Sequence, residues 1–175
     1  MIVLHMISLV RTSIYILVGI LVIAGVLYSL NFLSYRILKA RILYRQKWDL
    51  NICCGKTDGG GVNADIIKHT ELPNFIRIYD IYRLPFRDKE FQTVLCSHTF
   101  EHVDDPEGFY KELIRVGKIV TLIIPPVWDI SAVWNVFEHK WIFLTFKKEH
   151  NTLPRYIRLP LSNLIQKWRG QKRKA

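Results

Sequence analysis

Between Thr12 and Tyr35 the chain carries 24 consecutive residues without a charge, mostly Ile, Leu, Val and Tyr. As a helix rising about 1.5 Å per residue, such a run extends roughly 36 Å, more than the ~30 Å hydrocarbon core of a bilayer. A removable signal peptide is the alternative, but its apolar region usually covers only about 7–15 residues. No small-x-small cleavage site follows cleanly, so residues 1–35 are read as a transmembrane anchor. Whether the apolar residues Met1 to Val10 also cross, lie flat or fray is left open by the sequence.

The flanks of this run give an orientation. Arg11 is the one charge among the first 35 residues, whereas Arg36, Lys39, Arg41, Arg45 and Lys47 crowd the far side. Basic residues next to a span stay cytoplasmic, so a single-pass protein with its C-terminal domain in the cytosol is expected. Without Arg11, the remaining 24 of 25 basic residues face 15 acidic ones, a surplus of nine. An anionic membrane surface explains this surplus better than nucleic acid, because much of it lies beside the span. Cys53, Cys54 and Cys96 form neither a disulfide framework nor a zinc spacing, and are read as reduced thiols.

Residues 36–48 read as a basic juxtamembrane linker, residues 49–160 as one α/β domain, and residues 161–175 as a basic amphipathic tail. Within the domain, short apolar runs bounded by turn residues predict strands at Leu50–Cys53, Val62–Ile66, Phe75–Ile81, Thr93–Ser97 and Ile119–Ile124, in a mainly parallel sheet. One helix lies between the fourth and fifth. Asp105 can cap it, Pro106 suits its first position, Glu107 favours its positive end, and Gly117 ends it. Phe109, Tyr110, Leu113 and Ile114 are its expected buried face. The run Trp141–Phe146 is a sixth strand or a core-facing loop. In the tail, Leu161, Leu164, Ile165 and Trp168 share a helical face, with Lys167, Arg169, Lys172, Arg173 and Lys174 around and beyond it. Such a helix suits a membrane interface or docking on the sheet.

The succession L-N-I-C-C-G-K-T, G-V-N-A-D-I, Y-D-I-Y-R-L-P-F, F-Q-T-V-L-C-S-H-T-F-E-H-V-D-D-P, E-L-I-R-V-G and I-V-T-L-I-I-P-P resembles the core of class I S-adenosylmethionine-dependent methyltransferases over about residues 49–127. The resemblance implies a Rossmann-like, doubly wound, mainly parallel sheet of about five to six strands, and S-adenosylmethionine as cofactor. Asn51 stands where the family has an acid, and Gly55 matches one loop glycine, while Cys53 and Thr57 replace others. Asp65 matches the acid that accepts from both ribose hydroxyls. Asp80 matches the acid beside the adenine amino group, with the Ile81 backbone N–H available to the ring. Ser97 and His98 follow the fourth strand, where methyl donor and acceptor should meet. Methyl transfer from a sulfonium needs no general base; if one acts, His98, Glu101 or His102 is nearest in sequence.

Two further patterns compete. His98 to His102 fits H-x-x-E-H, an inverted zinc-protease motif, but that chemistry needs both histidines on one helical turn. Here a strand precedes the motif and the helix starts only at Asp105, so no metal is expected. Gly55-Lys56-Thr57 resembles the end of a phosphate-binding loop, but Leu50 falls where its first glycine is required. The expected function is methyl transfer to an acceptor near the membrane, whether lipid, small molecule or protein. The rival is a catalytically inactive, membrane-tethered interaction module of the same fold. Nucleic-acid binding through the basic tail is a weaker third reading.

Overall fold

The apolar run forms helix α1 (Ile2–Phe32), which passes through a π-helical turn (Leu33–Leu38) into α2 (Lys39–Leu43) without leaving the helical region. The computed structural model describes residues 2–169, so Lys172, Arg173 and Lys174 of the expected tail lie outside the described residues. Residues His5–Leu43 form a helix long and apolar enough to cross a membrane. Its side chains from Met6 to Val26 point outward, away from the rest of the chain.

The domain is built on β1 (Trp48–Ile52), β2 (Gly60–Asp65), β3 (Phe75–Arg77), β4 (Phe91–Ser97), helix α3 (Pro106–Val116) and β5 (Gly117–Ile123). A short helix α4 (Ile130–Val133), β6 (Trp141–Phe143), β7 (Glu149–His150), β8 (Tyr156–Arg158) and helix α5 (Ser162–Arg169) complete it. The main sheet has the order β3-β2-β1-β4-β5-β7, with β7 antiparallel to β5 and every other pair parallel. The chain moves outward from β1 to β3 and then returns to β4 on the other side. That reversal between β1 and β4 is where open α/β sheets bind ligands, beyond the carboxyl ends of the strands.

Both faces of the sheet are apolar, as the near-continuous hydrophobic strands require. One face carries Leu50, Ile52, Val94, Cys96, Val120 and Leu122, packed under Phe109, Leu113 and Val116 of α3. Each of those three α3 side chains is wholly buried, and burial of this kind contributes roughly 1.5–3 kcal/mol per residue. On the other face Leu95 and Ile123 meet Trp48 and, from α2, Ile42 and Leu43. The segment read as a linker is thus the second helical layer of the sheet. Ile42 and Leu43 had no visible partner in their own stretch of sequence.

Helix α3 begins as expected, with the Asp105 carboxylate accepting from the Gly108 backbone N–H. Its end differs from expectation. Gly117 is extended (φ −113°) and already the first residue of β5, so no loop separates helix from strand. A Cβ there would lie 2.4 Å from Val94 Cγ2, so the glycine is needed for close approach, not for a left-handed turn. Ile114 is exposed, and Val116 occupies the core in its place, because residues 106, 109, 113 and 116 follow one helical stripe. Strand β3 is shorter than the expected Phe75–Ile81. Ile78 still donates to the Asp65 carbonyl, but Asp80 then turns the chain by accepting from the Tyr82 backbone N–H.

Trp141–Phe143 does form a strand, though not in the main sheet: it pairs with β8 in a separate antiparallel ribbon. Helix α5 docks through polar groups. Gln166 donates to the carbonyls of Val136 and His139, while Leu161, Leu164 and Trp168 stay exposed.

Candidate functional site

The sequence places glycines between β1 and β2, and the backbone there needs them in part. Gly55 has φ +57°, and so does Cys53 at φ +52°, although a side chain there costs roughly 1–2 kcal/mol. Residues 53–59 make the whole connection, and no helix among the described residues follows it before β2. The turn is tied to the tip of β2. Asp65 Oδ2 accepts from the Gly55 N–H at 2.8 Å and Oδ1 from the Ile66 N–H at 2.7 Å. Asp65 therefore sits at the strand tip with its carboxylate against the turn. Asp80, just beyond β3, is exposed, and the Ile78 N–H bond to the Asp65 carbonyl keeps its segment alongside. The two acids share one edge of the sheet at the ends of neighbouring strands. The side chain of Ile81 is buried in the core.

Asn51 has a different place. It is buried, and its amide donates to the Thr57 carbonyl and to Asn63 Oδ1. Asn63 in turn accepts from the Gly59 N–H and donates to Asp58 and the Pro73 carbonyl. These amides hold the turn from beneath. Burial raises the pKa of the Cys53, Cys54 and Cys96 thiols, that of Cys54 to about 12, so all three stay protonated and unreactive near neutral pH.

At the tips of β4 and β5 the chemistry changes. His98 follows β4 in a left-handed conformation (φ +55°), with its N–H bonded to the Ile123 carbonyl. Lys148 Nζ donates to His98 Nε2 and to Ser34 Oγ, each at 2.9 Å. An ammonium donor at Nε2 fixes the ring tautomer: Nδ1 carries the proton and donates to Glu101 Oε1 at 3.1 Å. Ser34, Lys148, His98 and Glu101 thus form one chain of polar contacts, with Lys148 and Glu101 almost fully buried. Tyr35 lies edge-on to the His98 ring at 5.3 Å. Asn31 donates to Asp129, which also caps α4. The end of α1 and the π-helical turn therefore close over the ends of β4 and β5.

Burial decides the titration of His98 and Lys148, and is overcome at Glu101. It pulls His98 down to about 4, despite the opposing Glu101 carboxylate. It lowers Lys148 to about 8, again against the pull of Glu101. Burial alone would raise Glu101, but hydrogen bonding from His98 and the nearby histidine charges bring it to about 2. At neutral pH the chain of contacts is ammonium, neutral imidazole, carboxylate. Lys148 is its member that exchanges a proton nearest neutrality, which marks it as a functional candidate. His102 is turned away from this chain, with Nδ1 on the Glu138 carbonyl at 3.0 Å. Ser97, at the end of β4, buries a hydroxyl that has no hydrogen-bond partner.

The structure thus brings Gly55, Asp65 and the Asp80 segment together at one end of the carboxyl edge, and His98 with Glu101 at the other. Sequence reasoning missed Ser34, Lys148 and Asn31. No local signal marks Lys148 or Asn31: Lys148 lies 50 residues from His98 and 114 from Ser34. A polar Ser-Tyr pair at the very end of an apolar span is the one hint the sequence carried.

Residues 62–121 match the family model of the methyltransferase domain. No curated protein matches the chain. Among solved structures, the chain is similar to an S-adenosylmethionine-dependent methyltransferase from Thermotoga maritima, described as a possible histamine N-methyltransferase. The identity is 20% over 57% of each chain, with a TM-score of 0.41. It is also similar to a chain of the complex between the Trm112 methyltransferase activator and a putative methyltransferase from Haloferax volcanii. There the identity is 17% over 54% of this chain and 52% of that one, with a TM-score of 0.40. An S-adenosylmethionine-dependent methyltransferase from Aquifex aeolicus matches at 18% identity, covering 55% and 68%, with a TM-score of 0.38. The chain spans a little over half the length of the first two.

Proposed function

We propose, from the premise that residues 62–121 are a methyltransferase-domain segment within a class I fold, that this chain transfers a methyl group from S-adenosylmethionine to an acceptor at a membrane boundary. One observation carries the reading: the Asp65 carboxylate, at the tip of β2, is locked against the left-handed turn Cys53–Gly55. That arrangement fits a nucleoside cofactor. Asp65 Oδ2 accepts one backbone N–H and keeps a lone pair for a ribose hydroxyl, whereas Oδ1 accepts from Ile66 and, at 3.4 Å, from Ile67. Asp80 and Ile81 stand beside it for the base, and Ser97 offers an unused hydroxyl toward the middle of the edge.

S-adenosylmethionine, when bound, supplies a methyl group activated on a sulfonium, and in-line transfer depends mostly on alignment. The residues of this chain supply that alignment and a destination for a proton. His98 cannot accept one while Lys148 occupies Nε2. Neutral Lys148 can, and its pKa of about 8 makes that form accessible near neutrality.

Two features support an acceptor at the lipid boundary. The base of the anchor touches His98 and Lys148 directly. A cavity of about 940 Å³ beside it is lined by Leu38, Arg41, Arg45, Lys147 and Glu149; Arg45 pairs with Glu149, and Arg41 and Lys147 suit an anionic headgroup. The exposed Leu161, Leu164 and Trp168 of α5 add a second apolar surface for the interface.

Calorimetric titration of the full chain in detergent micelles with S-adenosylmethionine tests the cofactor. Binding is expected, and none at millimolar cofactor refutes the reading. The inactive-module reading has one observation in its favour, the closure of Asn31, Ser34 and Tyr35 over the tips of β4 and β5. Cofactor binding without methyl transfer to any component of native membranes would select it.

A further inference from the structure

Beneath His98 lies a group of side chains that the methyl-transfer reading does not use. Glu101, His102 and His139 each offer one ligand atom, and these atoms lie within 4.8 Å of one another. Glu101 and His139 are buried and His102 is half-buried. The two imidazole rings meet edge to face, with centroids 4.8 Å apart. Glu101 Oε1 is taken by His98, but Oε2 is buried with no hydrogen-bond partner. An unpaired carboxylate oxygen inside a protein is costly, and a residue 1% exposed is out of reach of bulk water.

The surroundings of the two histidines explain what that oxygen could be for. His102 Nδ1 is bonded to the Glu138 carbonyl, which must accept, so Nδ1 holds the proton and Nε2 keeps its lone pair. The His139 ring is buried in the same corner. Metal-bound histidines characteristically donate their other N–H to such a carbonyl, which fixes the ring and raises its basicity. The backbone closes the same corner: the Lys140 N–H donates to the Glu101 carbonyl at 2.6 Å, and Gln166 of α5 donates to the His139 carbonyl.

We propose that Glu101, His102 and His139 bind a divalent transition ion of the Zn2+ class, clipping the turn after β4 to the segment between α4 and β6. Two imidazoles and a carboxylate are a borderline-hard set that suits Zn2+ over Mg2+ or Ca2+, and three protein ligands leave a fourth position open. The ion would use the orphaned Glu101 oxygen while the other one keeps His98 in place. The inverted zinc-protease arrangement, which needs both histidines of H-x-x-E-H on one helical turn, is not what these residues form. Residues 98–102 form a turn after β4, His98 faces Lys148, and the second histidine comes from a segment 37 positions further along.

The test uses the full chain in detergent, stripped with a chelator and titrated with Co2+ and then Zn2+. One equivalent of Co2+ is expected to give the visible ligand-field absorption of a four-coordinate nitrogen–oxygen site, bleached by one equivalent of Zn2+. His139→Ala should weaken Zn2+ at least about 100-fold, the upper range for losing even an outer partner, while the exposed His69→Ala leaves it unchanged. If His139→Ala does not fold, the wild-type titration still decides. Absence of a stoichiometric Co2+ spectrum overturns the site, and so does a thiolate charge-transfer band, which would put the ion on Cys53, Cys54 or Cys96. Equal binding by wild type and a folded His102→Ala/His139→Ala variant overturns it as well.

Discussion

The two ends of the sheet's carboxyl edge are built on opposite terms. Around β1, β2 and β3, Gly55, Asp65 and Asp80 are local, and Asp80 is open to water. Their carboxylates are held by backbone N–H groups only one to ten residues away. Around β4 and β5, Ser34, Lys148, His98 and Glu101 come from distant parts of the chain and are enclosed, so each depends on the others for solvation. The comparison teaches that one end is shaped for a ligand to supply the missing partners, whereas the other already has its own.

The largest expected effect tests that contrast. Glu101→Ala removes the buried carboxylate that acts most strongly on Lys148, Asp129 being the weaker second, and should destabilise the chain by about 3–5 kcal/mol, the usual cost of stranding a buried charge. Asp65→Ala should cost only about 1–2 kcal/mol, since its backbone donors can turn to water. Denaturant unfolding in micelles, followed by tryptophan fluorescence, reads both; equal losses would erase the distinction. Next in size, Asp65→Ala and Asp80→Ala should each weaken S-adenosylmethionine by about 10–100-fold, the worth of hydrogen bonds to a charged group. His98→Ala should leave cofactor affinity within a few-fold. Calorimetric titration of the three variants decides, and cofactor affinity lost with His98 but retained without either acid would move the cofactor to the other end.

Acid should act on the enclosed end first. The folded His98 resists protonation down to about 4, whereas the unfolded chain takes the proton near the ordinary value of 6.5. The unfolded state binds more protons in that window, so stability falls as pH drops from 6.5 to 4. Glu101 continues the decline, because its stabilisation is complete above 4.5 and is lost toward about 2. Melting temperatures of wild type and His98→Asn across pH 4 to 7 check this, since the variant should lose the share of the slope that His98 contributes, while His139 and His150, also lowered by burial, keep theirs. The smallest effect is expected from Ser34→Ala, which deletes one hydrogen bond to Lys148 and should cost about 1 kcal/mol. A loss near zero would mean that the anchor base contributes nothing to the enclosed end.

Legibility followed sequence distance. The strand tips, the Asp105 cap and the two acids could be read because each is announced by its neighbours. The left-handed Cys53 was visible only as a replaced glycine, and Gly117 was read as a helix stop when its lack of a side chain serves the contact with Val94. Lys148, Ser34 and His139 could not be read. Their roles arise where β7, the π-helical turn and the segment after α4 converge on residues 98–102, and no periodicity encodes that meeting. Asn51 illustrates a third case, in which the position was recognisable but the side chain serves the turn beneath it.

The double employment of α2 limits how the apolar helix could be cut from the sheet. Ile42 and Leu43 plaster one side of the sheet at the end of the same continuous helix that is long and apolar enough to cross a membrane. Proteolysis just past the apolar stretch would therefore not release the sheet unharmed. It would strip Ser34 from Lys148 and loosen the layer over Leu95 and Ile123, so the ends of β4 and β5 keep their form only while helix and sheet stay joined.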